Sequence, residues 1–292
     1  MKRDAVATLL YLVDGDLLLY RAANALPYFT NSAGLPTNAL HGFAAMLRSL
    51  MQTGRPTHAA VAFTADPPLR KHALDPNYKI NHYEHPEEIK QQIPYAMRLV
   101  AAMGLHPFLE PGFEADDVIA TLLARRQRFH ARIVSTDRDF YQLVSDRVHM
   151  LVPIRGVSEV REVGPAEVYA AFGVQPRQIP DLKALVGDRS DDIPGVRGIG
   201  PKTAAALLRI YPTVEEIMES LDSINIPGVR WRLAPARERV FLNKQLARFW
   251  PVPMRSRSDL HVRSPRKDHL EALARETEIG ALRSLWEVVS TP

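Results

Sequence analysis

Eight carboxylate side chains stand in four short segments of the chain, and as a set they could bind divalent cations. They are Asp14 in LVDGD, Glu114, Asp116 and Asp117 in GFEADDVIATL, Asp137 and Asp139 in STDRDF, and Asp188 and Asp191 in GDRSDD. Taken singly, each is more typical of a helix cap or a turn than of a metal ligand. Gathered in one crevice, so many carboxylates would repel one another strongly unless cations lay among them.

The composition indicates which cation such a site would take. The chain has no cysteine, and its ten histidines do not follow a metal-ligand spacing. Oxygen ligands alone suit Mg²⁺ or Mn²⁺ better than Zn²⁺. Two such ions about 4 Å apart can hold a phosphodiester, one activating water and the other stabilising the leaving oxygen. The acids therefore predict metal-dependent hydrolysis of a phosphodiester without a protein nucleophile.

Three short apolar runs would bring these acids together. The runs are TLLYLVD, ending at Asp14, HAAVAFT, ending at Thr64, and ARIVSTD, ending at Asp137. Each has the length of a buried strand and precedes a helical pattern. This alternation predicts an α/β fold with a central, mostly parallel sheet flanked by helices. The site of such a sheet lies at the carboxyl ends of its strands, where two of the runs end on an aspartate.

The remaining segments predict a helical second half. Residues 66–90 are polar and too long for an ordinary connection, so they predict a functional loop, with a surface insertion as the alternative. We expect a core over residues 1–180 and a helical region over residues 181–292. Helices are predicted at 16–26, 37–51, 86–104 and 139–145, a hairpin at 149–164, further helices from 165 to 250, of which 231–250 is basic and amphipathic, and a last helix at 268–289.

The segment IPGVRGIGPKTAAALLRIY predicts a helix-hairpin-helix. Its turn contains Gly195, Gly198 and Gly200, and the next helix opens with Lys202 and Thr203. Glycines let a backbone approach a phosphate, and the free N–H groups at a helix start favour an anion. The charge of Lys202 adds an attraction that is independent of nucleotide sequence. A turn that only packs two helices together is the alternative, but the acids just upstream favour a DNA contact.

Charge and hydropathy bound the location and the partners. The net charge of +4 and the pI of about 9.3 permit a nucleic-acid partner without establishing one. Basic residues precede the first apolar run, as in a signal peptide, but Asp14 and Asp16 interrupt that run. No apolar stretch approaches the roughly 20 residues that span a bilayer. We expect a cytoplasmic protein without a membrane partner, and we expect it to be a monomer.

Six segments in a fixed order give the chain a resemblance to a known family. They are LVDGDLLLYRAANALP, TNALHGFAAML, NYKINH, GFEADDVIATL, IVSTDRDFYQLVSD and GDRSDDIPGVRGIGPKTAAALL. Over residues 9–250 the chain resembles the 5′-nuclease family, which includes the 5′→3′ exonuclease domain of bacterial DNA polymerase I and stand-alone bacterial flap endonucleases. The resemblance implies a PIN-like 5′-nuclease core, an arch at about residues 66–100 and a helix-hairpin-helix region.

The resemblance also implies roles for individual residues. All eight acids match the family's metal-site acids, which would hold two Mg²⁺ or Mn²⁺ ions, and Asp116 and Asp137 are assigned as catalytic. Lys79 is assigned a catalytic role in the arch, where its charge would stabilise the phosphate in the transition state. The hairpin would grip the duplex and could bind K⁺ through backbone carbonyls. DNA contacts are assigned to Arg21, Arg70, Lys79, His82, Gly195, Gly198, Gly200, Lys202 and Thr203.

Two positions depart from the family's pattern. Thr64 stands where a metal-site aspartate is expected, and a neutral hydroxyl is a weaker ligand, so one metal should bind loosely or keep an extra water. Asp66, two residues further on, could reach back to the site. His82 stands where a phosphate-binding arginine is expected.

The main hypothesis is a structure-specific 5′ nuclease that cuts DNA at 5′ flaps, nicks or ends. Its implied role is the removal of flaps and RNA primers in replication and repair, in a pathway with a separate DNA polymerase and a ligase. A branched-DNA-binding protein with weak or no nuclease activity, owing to Thr64, is the alternative. An RNase of the related PIN-like class is a third hypothesis, which the helix-hairpin-helix disfavours.

Overall fold

A six-stranded sheet organises the first half of the chain in the computed structural model, which describes residues 8–65, 69–80, 85–254 and 259–288. The strand order is β3-β2-β1-β4-β5-β6, in which the first five strands are parallel and the last is antiparallel to its neighbour. The predicted fold class, a mostly parallel sheet flanked by helices, is therefore confirmed. The strands are β1 (Leu9–Asp14), β2 (His58–Phe63), β3 (His106–Leu109), β4 (His130–Val134), β5 (Val148–Arg155) and β6 (Glu159–Val163).

Helices cover the sheet and build the second half of the chain. The α-helices are α1 (Gly15–Ala25), α2 (Asn38–Gly54), α3 (Leu69–Leu74), α4 (Glu87–Lys90), α5 (Ile93–Ala102), α6 (Ala115–Ala124), α7 (Pro165–Phe172), α8 (Ile179–Val186), α9 (Pro201–Ile210), α10 (Val214–Glu219), α11 (Val229–Leu233), α12 (Arg237–Ala247) and α13 (Lys267–Thr277). A two-stranded ribbon of β7 (Gly187–Asp188) and β8 (Ile193–Pro194) lies between α8 and α9. Short 3₁₀ helices occupy Arg138–Leu143, Pro176–Gln178, Leu221–Ser223, Ala234–Ala236 and Gly280–Val288.

The central strand β1 separates two apolar cores. Leu10 and Leu12 belong to the core that includes residues of α6, α8 and α9, whereas Tyr11 and Val13 belong to the core formed with α1, α2 and α5. Successive side chains of a strand point to opposite faces, so a strand covered on both sides must be apolar throughout. This explains why the first apolar run is continuous and why its first charged residue comes at the strand's end.

The helical unit after the sheet packs on α8. Helix α12 contacts α8 extensively, and α9 buries Ala204, Leu207 and Leu208 on one face. Ion pairs join the helices: Nζ of Lys244 lies 2.6 Å from Oδ1 of the buried Asp181 and 2.6 Å from Oε2 of the half-exposed Glu215 on α10. This unit supports the ribbon and the hairpin turn, which lead the chain from the acids at 188 and 191 into α9.

Proline breaks two of the helices that the sequence analysis predicted as continuous. The segment 86–104 forms α4 and α5, with Pro94 in the first turn of the second helix, where its missing N–H costs nothing. The segment 231–250 changes to a 3₁₀ helix around Pro235 before α12 begins. Among the described residues the longest helix, α2, has 17 residues, and no helix has both the length and the apolar character needed to cross a bilayer.

Three other local predictions differ from the structure. The strand β3 was not predicted, because HPFL is short, contains proline and is only partly buried at the sheet edge. The segment 139–145 forms a 3₁₀ helix rather than an α-helix. The predicted helix 268–289 ends at Thr277, since Glu278 adopts the left-handed conformation (φ 60°) and a 3₁₀ helix follows.

The C-terminal part of the chain is less separate from the α/β core than the sequence indicated. Leu270 and Leu273 of α13 pack in the core that holds Tyr11 and Val13, and α13 contacts α5. The C-terminal helix thus rests on the α/β core. The division at residue 180 stays a prediction. Within the segment predicted as a loop and arch, α3 and α4 are helical, whereas Asp66 and His82 lie outside the described residues.

Candidate active site

Asp14 is placed by the end of β1 and the start of α1. One of its oxygens accepts a hydrogen bond from the backbone N–H of Leu17 (3.0 Å), and the other accepts from the hydroxyl of Ser135 (2.9 Å), which follows β4. The carboxyl ends of two adjacent parallel strands therefore meet here, as expected. Burial, and then the charges of Asp16 and Asp137, raise the pKa of Asp14 to about 7.

A first group of acids, the Glu114 triad, consists of Glu114, Asp116 and Asp117 at the start of α6. All three side chains are buried, and an oxygen of each lies within 4.8 Å of the others. Burial raises the pKa of Asp116 well above its ordinary value, and Glu114 and Asp117 add to this effect. Asp117 also accepts a hydrogen bond from the backbone N–H of Trp250 (2.7 Å), which fixes its carboxylate to the segment after α12.

A second group of acids, the Asp188 triad, consists of Asp139, Asp188 and Asp191, whose oxygens likewise lie within 4.8 Å of one another. Asp137 joins this group to β4, because its carboxylate caps the 3₁₀ helix by accepting from the N–H of Asp139 (2.8 Å). Burial raises the pKa of both Asp137 and Asp191. Burial would also raise the pKa of Asp188, but the charge of Lys183 lowers it instead.

Lys79 connects the two triads. Its Nζ lies 2.5 Å from Oε1 of Glu114 and 3.6 Å from Oδ1 of Asp191. Its backbone N–H donates to the carbonyl of Asp191 (3.0 Å), and its φ of 47° places it in the left-handed region. Burial alone would lower the pKa of Lys79, but Glu114 raises it far above its ordinary value. The ammonium group is therefore charged and stands between the two groups of acids.

Two further lysines contact the acids, and the sequence analysis missed both. Lys183 on α8 pairs with Asp139 and Asp188. Lys71 on α3 is 3% exposed; its Nζ lies 2.6 Å from Oε2 of Glu114 and 3.7 Å from Oδ1 of Asp117. Nothing in LRKHAL or IPDLKALV distinguishes these lysines from surface lysines of a helix, so only the folded structure reveals them.

Thr64 has a structural role at the edge of the acidic site. Its backbone N–H donates to Oδ2 of Asp16 (2.8 Å), and its hydroxyl oxygen accepts from the N–H of Ala115 (3.1 Å) at the start of α6. The threonine thus caps the helix that carries the Glu114 triad. Its side chain also lines the same cavity as Asp14 and Asp116, where the sequence analysis expected a metal ligand.

The acids line one continuous cleft. A cavity of about 400 Å³ contains Asp14 and Asp116, and a cavity of about 730 Å³ contains the Asp188 triad. Both cavities are lined by Lys79, Thr136 and Asp137, so they adjoin at these residues. The structure thus brings together seven of the predicted acids and Lys79 around the cleft; Asp117 lies behind them, against Lys71.

Two predicted DNA contacts are not among the residues that line this cleft. Arg21 on α1 donates to the carbonyl of Ile154 (3.1 Å) in β5. The guanidinium of Arg70 is exposed and lies 4.6 Å from the ring centre of Phe113, which stacks it beside the Glu114 triad. Neither arginine lines the two cavities in the part of the chain that the structure describes. Their assignment to DNA stays a prediction.

The hairpin turn, residues 195–200, adjoins the cleft through Pro201, which lines the larger cavity. Gly200 caps α9, and a Cβ there would meet no atom within 4 Å, so its backbone is open to a ligand. Gly198 needs its φ of 82°. Gly195 is required by internal packing, because a Cβ there would lie 2.0 Å from the carbonyl oxygen of Val186. Lys202 is exposed and Thr203 half-buried in the first turn of α9.

The donor groups of the cleft fit Mg²⁺ or Mn²⁺. Each triad offers three carboxylate oxygens at close range, and Oδ2 of Asp191 is buried without a hydrogen-bond partner among the described residues. A buried carboxylate oxygen without a donor is costly, and a divalent ion would satisfy it. The Glu114 triad with Asp14, and the Asp188 triad with Asp137, are the residues that would hold the ions.

Thr64→Asp is expected to strengthen metal binding, because it adds a carboxylate to the cavity and still offers an acceptor to the N–H of Ala115. We expect a lower melting temperature than wild type in EDTA, owing to like-charge repulsion, and a roughly tenfold lower half-saturating Mg²⁺ concentration. Differential scanning fluorimetry across a Mg²⁺ series measures both, and any cleavage activity should rise in parallel. Thr64→Asn is the matched neutral control; an identical Mg²⁺ response of the two variants would remove position 64 from the metal site.

The fold and the acidic cleft define a resolvase-like α/β domain joined to a helical unit. Two family models match these parts: the 5′-3′ exonuclease N-terminal resolvase-like domain over residues 9–173, and the 5′-3′ exonuclease C-terminal SAM fold over residues 174–268. The chain therefore belongs to the 5′-3′ exonuclease family, which confirms the resemblance seen in the six sequence segments.

Two kinds of relative share most of this chain. It is 38% identical over 288 residues to DNA polymerase I of Bacillus caldotenax, which covers 97% of this chain but 32% of that protein. It is 35% identical over 279 residues to a 5′-3′ exonuclease of Aquifex aeolicus, which covers 94% of this chain and 93% of the relative. The chain thus spans about a third of the polymerase and nearly the whole of the exonuclease.

Solved structures share the fold at low sequence identity. A bacteriophage T5 flap endonuclease in a pseudo-enzyme-product complex with DNA and metal ions has a TM-score of 0.65 and 22% identity, with 97% of this chain and 100% of that chain covered. Human GEN1 in complex with Holliday junction DNA has a TM-score of 0.67 and 13% identity, with 97% and 71% covered. At these identities the comparison establishes the fold alone.

Proposed function

We propose that this chain is a structure-specific 5′ nuclease that hydrolyses DNA phosphodiester bonds near 5′ ends with two divalent metal ions. The observation that carries the proposal is the cleft in which the Glu114 and Asp188 triads face each other across Lys79. A site of this kind needs no protein nucleophile, because divalent ions held by these carboxylates would supply an activated water.

The proposed roles follow from the geometry. When bound, the ions would supply an activated water and stabilise the leaving oxygen. The carboxylates of the Glu114 triad and Asp14 would hold one ion, and the Asp188 triad with Asp137 the other. Lys79 presents a charged ammonium between them, where it would bind the scissile phosphate. Gly200 and Lys202 at the start of α9 would hold the duplex backbone beside the cleft.

The substrates and partners are proposed from the relatives. The Aquifex relative is named a 5′-3′ exonuclease, and the T5 flap endonuclease was solved with DNA and metal ions. DNA with 5′ flaps, nicks or ends is therefore the proposed substrate. In the Bacillus relative the matching segment belongs to a DNA polymerase. We propose that a DNA polymerase and a ligase act in the same pathway of flap and primer removal, and that the chain works as a monomer.

The alternative, a branched-DNA-binding protein with little activity, rests on Thr64. The observation against it is that the other predicted metal-site acids are present and gathered, and that the hydroxyl of Thr64 serves the helix carrying one triad. Burial raises the pKa of Asp14 and Asp116, so their ionised forms are costly without a nearby cation, and their presence favours metal binding over a binding-only role.

Cleavage of a 5′-labelled DNA flap tests the proposal. We expect cutting near the junction in Mg²⁺ or Mn²⁺, none in EDTA, and products with a 5′-phosphate. The same flap made of RNA, and a blunt duplex, are the comparison substrates. Tight binding of the flap with no cleavage in either metal, even at high protein concentration, would favour the binding protein; cleavage of the RNA strand alone would favour the RNase.

A further inference from the structure

Trp231 is the most exposed large apolar side chain of the described residues, at 84%. It lies on α11, whose Val229 and Leu233 are buried and hold the helix against the helical unit. Because Val229 and Leu233 anchor α11, the helix directs the indole of Trp231 outward. Tryptophan is rarely left to water, because its ring buries a large apolar area on contact. A single exposed apolar residue needs no explanation, so its surroundings decide its meaning.

The surroundings form a basic groove of about 610 Å³, lined by Trp231, Arg197, Arg232 and Arg239 together with Gly195 and Gly198. No acidic residue lines it in the part of the chain that the structure describes. Nη1 of Arg239 lies 2.7 Å from Oδ2 of Asp75 and forms an ion pair with it. Arg197 and Arg232 are exposed and form no ion pair with a described residue. The groove therefore presents positive charge beside an aromatic ring.

Arg232 connects this groove to the hairpin turn. A Cβ on Gly198 would lie 2.7 Å from Nε of Arg232, and a Cβ on Gly228 would lie 2.9 Å from one of its terminal nitrogens. The guanidinium of Arg232 thus lies against Gly198 and Gly228. Gly198 belongs to the hairpin turn, which is assigned to DNA backbone contact. The groove and the turn form one surface, with Gly195 and Gly198 shared by both.

The combination fits a nucleic acid strand rather than a protein. Arginines bind phosphates, and an exposed aromatic ring stacks on an unpaired base, which is how single strands are bound without sequence preference. A duplex offers phosphates but keeps its bases stacked internally, so it would leave the indole without a partner except at its end. An acidic peptide would satisfy the arginines but would not require the ring.

We propose that the basic groove binds a single-stranded DNA segment that continues from the duplex held by the hairpin turn, with one base stacked on Trp231 and its phosphates at Arg197 and Arg232. This inference rests on the proposed function, since it requires the chain to bind DNA. It extends the DNA contact to a groove that shares no lining residue with the cavity that contains Pro201 and the Asp188 triad.

The experiment measures the affinity of Trp231→Ala for three labelled DNAs in EDTA, where no cutting occurs: a single strand, a blunt duplex, and the duplex with a single-stranded extension. Fluorescence anisotropy should show roughly tenfold weaker binding of the two DNAs that contain a single strand, and little change for the blunt duplex. Trp231→Phe should recover most of the affinity because it retains a stacking ring. Melting temperatures verify that each variant is folded.

Arg232→Ala tests the charge, with Arg161→Ala on β6 as a control that removes the same charge elsewhere. The slope of log affinity against log salt should fall by about one for Arg232→Ala and remain unchanged for Arg161→Ala. Equal binding by wild type and Trp231→Ala, or an equal loss on the blunt duplex, would overturn the proposal. A wild-type protein that binds none of the three DNAs would instead overturn the proposed nuclease function.

Discussion

Asp137→Asn is expected to lower flap cleavage by roughly a thousandfold while changing the dissociation constant for the same DNA by less than about threefold. A lost metal ligand removes several kcal/mol of transition-state stabilisation, which corresponds to this factor. Asp137 lines both cavities of the cleft, whereas the proposed contacts with the duplex backbone lie on α9 and in the hairpin turn. Single-turnover cleavage in Mg²⁺ and equilibrium binding in EDTA separate the two effects.

The same variant has a second expected readout that does not depend on activity. Burial raises the pKa of Asp137 in the folded state, so its cost to stability grows as the pH rises above the unfolded-state pKa and is complete above the raised value. Removing the charge should therefore raise the melting temperature in EDTA at neutral pH and diminish the further rise caused by Mg²⁺. Asp146→Asn, at an exposed position, is the control. Full residual cleavage, or an unchanged response to Mg²⁺, would take Asp137 out of the site.

The acids could be found in the sequence because their positions follow from strand and helix ends. Asp14 closes an apolar run, and Asp116 opens a helix, so the rule that parallel strands meet at one edge brings them together without further information. The helix breaks near Pro94 and Pro235 could also have been predicted, since proline cannot continue a helix from the preceding turn. The prediction of single helices relied on the amphipathic periodicity of these segments and disregarded their prolines.

The lysines of the site could not be found in this way. Lys71 becomes buried only because α3 packs against the start of α6, a contact between segments 43 residues apart. Helix periodicity gives no sign of it, and a lysine is ordinarily exposed. The same holds for Thr64: the sequence indicates a missing ligand, whereas its hydroxyl caps the helix of the Glu114 triad. Roles that depend on packing between distant elements stay hidden until the elements are placed.

Lys71→Met is expected to lower the free energy of unfolding by about 3–5 kcal/mol in EDTA, the usual cost of removing one partner of a buried ion pair. Lys71 is 3% exposed and Glu114 5%, so water cannot replace the lost ammonium. Lys71 and Lys79 together lower the pKa of Glu114 far below its ordinary value, against the effect of burial. Glu114 is therefore ionised at neutral pH, and the ammonium groups of Lys71 and Lys79 balance its charge.

Urea unfolding of Lys71→Met in EDTA and in Mg²⁺ measures how far a metal ion compensates for the lost ammonium charge. A divalent ion at the Glu114 triad would replace the missing positive charge, so Mg²⁺ should restore much of the lost stability and should bind Lys71→Met more tightly than wild type. The double variant Lys71→Met with Glu114→Gln makes this pair uncharged and should recover part of the loss in EDTA. Lys79 keeps Asp191 as a partner, and Asp117 keeps the backbone N–H of Trp250. An equal loss in the single and double variants would show that Lys71 contributes packing alone. Recovery would instead identify Lys71 as an internal cation that holds the Glu114 triad together before any metal binds.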